Sequence, residues 1–176
     1  MRTFLRDILP IFIIVAIIFF GQQATIQKSV VVGPSMNPSF QNGQRLLINK
    51  AIYQLFCEPA RGEVVILHPP NNEHDDYIKR IIGLPGESVE IRNGTVYIHK
   101  EDGSVLPLDE PYVAAPAREP FKGDKIPPNN YFVLGDNRNN SSDSRDDWVL
   151  PRENIIGKAW LSYWPPGLVT DYQLPQ

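Results

Sequence analysis

The chain has 176 residues, 42% of them apolar, with seventeen prolines, one cysteine and a net charge of −3. One cysteine, Cys57, excludes an internal disulfide framework and a cysteine-rich metal cluster, and the charge balance offers nothing to nucleic acid. So many prolines do not suit a helical bundle, because each removes a backbone donor from a helix interior, and the length fits one domain of roughly 150 residues plus an appendage.

The appendage comes first. Residues 8–21 are apolar, Gly or Pro throughout, and the charge-free stretch continues to Gln27. Twenty residues at 1.5 Å each just span a hydrocarbon core of about 30 Å. Arg2 and Arg6 precede the stretch and Lys28 is the first charge after it. That bias favours a cytoplasmic tail over 1–7, a membrane anchor over 8–27 and an extracytoplasmic domain over 28–176. The h-region of a cleaved signal peptide and a buried soluble helix are the competing readings.

From Val30 onward, short runs rich in Val, Ile and Tyr are cut by Gly, Pro, Asn and Asp. Strands are expected over 30–32, 45–49, 63–67, 77–82, 88–91, 95–99, 131–134 and 155–164, several with period-2 alternation. Asn93-Gly94 between two such runs is a hairpin signal, since both turn positions want positive φ. Asp102-Gly103 marks a second turn, and the proline-rich part of 92–130 reads as a small inserted lobe. The fold class is mainly β, antiparallel.

Three features carry chemistry. Ser35 follows a β-branched run in a Gly-Pro-Ser turn, where a hydroxyl can face a cleft beside backbone N–H groups; an ordinary turn serine is the plain alternative. The histidines, His68, His74 and His99, lack metal-like spacing and sit in a polar loop or at a hairpin end, which gives a Ser-His-Asp triad no local support. On an extended strand Lys79 shares a face with Tyr77 and Ile81. An ammonium there is costly and tends to lose its proton, and a free amine beside Ser35 would be a base for it. The plain alternative is an edge-strand lysine that snorkels to water. Finally, the polar stretch 134–148 is dense in Asn, Asp, Ser and Arg. It reads either as a solvated loop or as a brace for a buried cation, with Ser141 or Ser142 directing the Lys79 amine.

In this order the segments resemble a type I signal peptidase (leader peptidase), a membrane-anchored serine endopeptidase. The likeness rests on Ser35-Met36-Asn37-Pro38-Ser39-Phe40, on Arg61-Gly62-Glu63-Val64-Val65, on the run from Tyr77 to Gly86, on Gly135 to Arg145, and on Gly157-Lys158-Ala159-Trp160, all behind the apolar stretch. One Ser-Met-x-Pro match would mean little. Ordered boxes behind an anchor are specific.

The resemblance implies Ser35 as nucleophile, Lys79 as general base and Ser141 as the residue that orients the amine. It implies that Asp143 and Arg145 support the loop and that Arg80 pairs with an acid there, for which Asp136 is the expected partner. Gly33 stands where some members carry a hydroxyl at the oxyanion hole, leaving more of that role to the Ser35 backbone N–H. Asn139 stands where many members have Asp. Val31, Val32 and Ile78 are expected along the substrate backbone, with Met36, Phe40 and Tyr77 as pocket walls. The implied substrates are secreted preproteins cut after a small-x-small motif, and the implied setting is a bacterial plasma membrane, with the lipid bilayer and the secretion translocon as partners. No cofactor, metal or nucleic acid is implied. Self-cleaving regulators of the SOS-repressor type share a Ser-Lys dyad, but they carry a DNA-binding helical domain where this chain has its apolar stretch.

Overall fold

The computed structural model describes residues 25–72, 75–169, 171–172 and 174–175. Among them every strand pairing is antiparallel. The first sheet contains β1 (Ile26–Val30), β2 (Arg45–Asn49), β3 (Val64–Leu67), β4 (Tyr77–Gly83), β9 (Asn130–Leu134), β10 (Leu150–Pro151), β11 (Ile155–Trp164) and β12 (Pro166–Leu168). Its order is β1-β2-β11-β3-β4-β9-β10, with β12 against β11. The second sheet, β7-β6-β5-β8, is inserted between β4 and β9 and begins at Ser88 rather than at 92; it is built from β5 (Ser88–Arg92), β6 (Thr95–His99), β7 (Val105–Pro107) and β8 (Phe121–Lys122). One short helix, α1 (Ile52–Leu55), follows β2.

The alternation of apolar residues sets these strands. In β2 and β6 every second side chain is buried, and β3 is buried throughout because strands flank it on both sides. The long β11 changes register three times; such bulges bend a strand, and β11 reaches β2, β3 and β12 in turn. The hairpin at Asn93-Gly94 has φ of 52° and 80°, as a two-residue turn between β5 and β6 requires.

The first strand differs from expectation. It covers Ile26–Val30 rather than 30–32, and it is an edge strand paired only with β2. The expected membrane span over 8–27 lies outside the described residues except at its end, where Ile26 and Gln27 open β1. Among the described residues no helix is long and apolar enough to cross a membrane.

Apolar side chains gather in three clusters. One lies under the second sheet around Val89, Val96, Ile98 and Phe132. A second joins Val31, Met36, Phe40, Leu46 and Ile78, and a third joins Tyr53, Val65, Ile81, Val133 and Trp148. β4 runs between them with six of its seven residues, 78–83, buried and carries Lys79 and Arg80 into the interior.

Candidate active site

Where β1 leaves the sheet, Gly33 takes φ +86° and its N–H donates to Asn42 Oδ1 at 3.0 Å. Pro34 and Ser35 follow in a turn closed by the Asn37 N–H donating to the Pro34 carbonyl. The 135–145 loop grips this turn from above. The Asn137 N–H donates to the Ser35 carbonyl at 2.9 Å, and its side-chain amide donates to the Pro34 carbonyl at 3.1 Å. The Ser35 hydroxyl is thereby fixed at the wall of a cleft of about 990 Å³.

Lys79 enters the same cleft from β4 and is 3% exposed. Its Nζ lies 3.0 Å from Ser35 Oγ and 3.0 Å from the Ile78 carbonyl, and 5.0 Å from the centre of the Tyr77 ring. Burial brings this amine down from 10.5 to about 8, opposed by Asp143 and Asp136 and aided by Arg145. Neither acceptor that Lys79 reaches is charged, so the desolvation of an ammonium is offset only in part, by carboxylates that do not touch it. His68 pairs with Asp76 and His99 with Glu90, while the Ser35 hydroxyl meets Lys79. His74 lies outside the described residues.

Arg80, next along the strand, points the other way. Its Nε and one terminal nitrogen donate to the two oxygens of Asp136 at 2.9 and 2.6 Å, and the other donates to the Gly62 carbonyl at 2.8 Å. Its guanidinium lies 4.1 Å from the centre of the Tyr112 ring and 5.2 Å from that of Tyr172. Asp143 accepts from the Gly135 N–H at 3.0 Å and from the Arg145 guanidinium at 2.7 and 2.9 Å.

Three expectations need correction. Ser141 lines the cleft, but its buried hydroxyl has no hydrogen-bond partner and does not contact the Lys79 amine; the amine's bonds go to Ser35 and Ile78 instead. Met36 and Phe40 are not cleft walls. The turn at Ser35 aims both into the core, where they pack with Val31, Leu46 and Ile78. Val31, Val32, Tyr77 and Ile78 do line the cleft, with Val32 82% exposed.

The cleft has two free backbone edges. β1 is a sheet edge, and the first residues of β4 pair with β3 on one side only, because β9 joins at Arg80. Among the described residues the Ser35 N–H donates to no acceptor, so it is available to an incoming oxygen. Gly135 was not expected and is essential to the approach of these parts. A Cβ there would lie 2.2 Å from Ser141 Oγ and 2.5 Å from the Ser35 carbonyl oxygen. Tyr112, Tyr172 and Glu110 were also missed, since no local pattern ties them to β4 or to the loop. Among the described residues no group of three His, Cys, Asp or Glu side chains is placed to hold a metal ion.

The family described as "Signal peptidase, peptidase S26" matches residues 4–164. "Probable signal peptidase I-2" of a Synechocystis species is 45% identical over 145 residues, covering 78% of this chain and 64% of that protein. "Signal peptidase I" of Bacillus amyloliquefaciens is 37% identical over 166 residues, covering 88% and 82%. The crystal structure of a signal peptidase I from Enterococcus faecalis superposes with a TM-score of 0.51 at 31% identity, over 58% of this chain and 97% of that one. The chain thus spans a little under two thirds of the Synechocystis relative's length. With the match running through nearly all of the residues that build the cleft, the chain belongs to the signal peptidase family, peptidase S26.

Proposed function

We propose that the protein is a signal peptidase I that removes signal peptides from exported preproteins, with Ser35 as nucleophile and Lys79 as general base. The observation that carries this reading is the 3.0 Å approach of a buried Lys79 Nζ to Ser35 Oγ. A lysine at 10.5 is neutral in about one molecule in 3,000 at pH 7, and one at about 8 in about one in ten. Burial therefore raises the population of competent base roughly 300-fold.

Neutral Lys79 accepts the Ser35 proton as Oγ attacks the scissile carbonyl. The Ser35 N–H meets the developing oxyanion, and the Lys79 ammonium returns its proton to the leaving amine. Water, activated by the same amine, then hydrolyses the acyl-enzyme. The substrate lies extended between the free edges of β1 and β4 and adds a strand there. The shallow walls formed by Val31, Tyr77 and Ile78 select small side chains, as in Ala-x-Ala. Asp143 and Arg145 hold the loop, and Asp136 holds Arg80.

The apolar stretch that precedes β1 anchors the enzyme in a bacterial plasma membrane, with 1–7 in the cytoplasm and the β domain from Ile26 onward outside. Cleavage then takes place at the bilayer surface, where preproteins leave the translocon. The test uses full-length protein in detergent with a preprotein, the new N-terminus being read by mass spectrometry. Cleavage after small-x-small that disappears in both Ser35→Ala and Lys79→Ala is expected, with an acid limb of the pH-rate profile near 8. Near-normal turnover by Lys79→Ala overturns the reading.

A further inference from the structure

Two successive residues of the 135–145 loop reach out of it to one stretch of the inserted lobe. The Arg138 guanidinium donates to both oxygens of Glu110 at 2.7 and 2.6 Å, with side chains 1% and 8% exposed. Its Nε turns back to the Gly135 carbonyl at 3.1 Å. Asn139 uses both ends of its amide. Oδ1 accepts from the Arg118 N–H and Nδ2 donates to the Pro116 carbonyl, each at 3.0 Å. The same stretch reaches the base of the loop by another path: the Tyr112 hydroxyl donates to Glu110, and the Tyr112 ring covers Arg80, the partner of Asp136.

Segment 110–118 therefore holds the loop at Asp136, Arg138 and Asn139, just before Asn140, Ser141 and Ser142 line the cleft. The loop has little slack, because Ser141, Gly135 and the Ser35 carbonyl already meet without room for a methyl group. The charges acting on Lys79 are also on this loop or at its end: Asp143, Asp136, Arg145 and, one residue beyond, Asp146.

We propose that Glu110 and Asn139 are positioning residues, through which the inserted lobe clamps the Ser141 loop over the Ser35–Lys79 pair and keeps the amine dry. This rests on the Ser-Lys reading. It gives the lobe a task in the reaction, since a loosened loop admits water to the base and displaces Ser141. The two Asn139 bonds are exposed, so losing them costs the fold little; losing the Glu110 charge leaves Arg138 buried without its partner.

The test compares Asn139→Ala and Glu110→Gln with wild type, as full-length enzyme in detergent acting on a preprotein, with active sites counted by a serine-acylating probe. A control, Glu101→Gln, removes an exposed ion pair to Lys125 in the same lobe. The expected result for Asn139→Ala is a kcat per active site at least tenfold lower, with KM within twofold. Its acid limb should lie at higher pH, because burial is the largest influence holding the amine low; the control should leave all three unchanged. Global destabilisation lowers the count of active sites but leaves the limb in place, so Glu110→Gln is informative even where it folds poorly. A wild-type kcat and acid limb in Asn139→Ala overturns the clamp alone. Retained cleavage by Ser35→Ala overturns the Ser-Lys reading, and the clamp's role with it.

Discussion

Replacing Lys79 by Met keeps the length of the side chain and removes only its charge and its two hydrogen bonds. In the folded protein the amine titrates at about 8 against an ordinary 10.5. At about 1.36 kcal/mol per pH unit, that gap is worth about 3 kcal/mol. Because a cation's affinity for its proton is lowered by folding, the unfolded chain binds more protons between these values, and stability rises with pH across that window. The cost is fully present below about pH 8 and gone above 10.5. The two hydrogen bonds, each worth about 1 kcal/mol, shift the comparison by an amount that does not vary in this way. Urea unfolding of full-length wild type and Lys79→Met in detergent, at half-unit steps from pH 7 to 10.5, measures the difference. Wild type should gain about 3 kcal/mol on the variant over that range, while tyrosines and other lysines titrate alike in both and cancel. A difference that stays constant from pH 7 to 10.5 would mean that Lys79 is an ordinary lysine when folded, and the argument for it as a base would fail.

Two further substitutions test the surroundings of the pair. Gly135→Ala places a methyl group 2.2 Å from Ser141 Oγ and 2.5 Å from the Ser35 carbonyl; turnover should fall by about a hundredfold, and a loss under twofold in a steady-state assay would show that the two need not approach so closely. Asp136→Asn leaves Arg80, fully buried, without its charge partner and should cost about 3–5 kcal/mol in denaturant unfolding, against under 1 kcal/mol if water reaches the guanidinium.

What could be read from the chain follows the range of the interactions. The Gly-Pro-Ser turn and the Asn93-Gly94 hairpin are properties of two to six adjacent residues, and each is present as expected; the burial of Lys79, which periodicity left open against a snorkelling edge lysine, comes from the elements packed around β4. β1 was displaced because Gln27, Lys28 and Ser29 hide an edge strand behind polar side chains, whereas the more conspicuous 30–32 run mostly lines the cleft beyond it. Strands β7, β8, β10 and β12 have two or three residues each, too few for a period to show. Met36 and Phe40 looked like pocket walls because composition beside a serine does not reveal which way a turn aims its neighbours. The pairs Arg61–Glu87 and Arg138–Glu110 join residues 26 and 28 positions apart, and nothing local couples them.

Neighbouring residues of β4 show how one degree of burial bears differently on two cations. Lys79 and Arg80 are both almost inaccessible. Arg80 is met by the two carboxylate oxygens of Asp136, the Gly62 carbonyl and two aromatic faces, which together satisfy a delocalised, weakly hydrated cation. Lys79 is met by a hydroxyl and a carbonyl, acceptors that suit either protonation state. An ammonium can shed its proton within reach of neutral pH, and a guanidinium cannot. The strand's alternation sends the side chain that must stay charged to the face with the acid, and the one that must not to the face with the serine. Exchanging the two would put a permanent cation beside Ser35 and leave Asp136 with a partner that cannot bridge both of its oxygens. On the proposed reading, the order Lys-Arg, more than either residue alone, is what suits this strand to a Ser-Lys site.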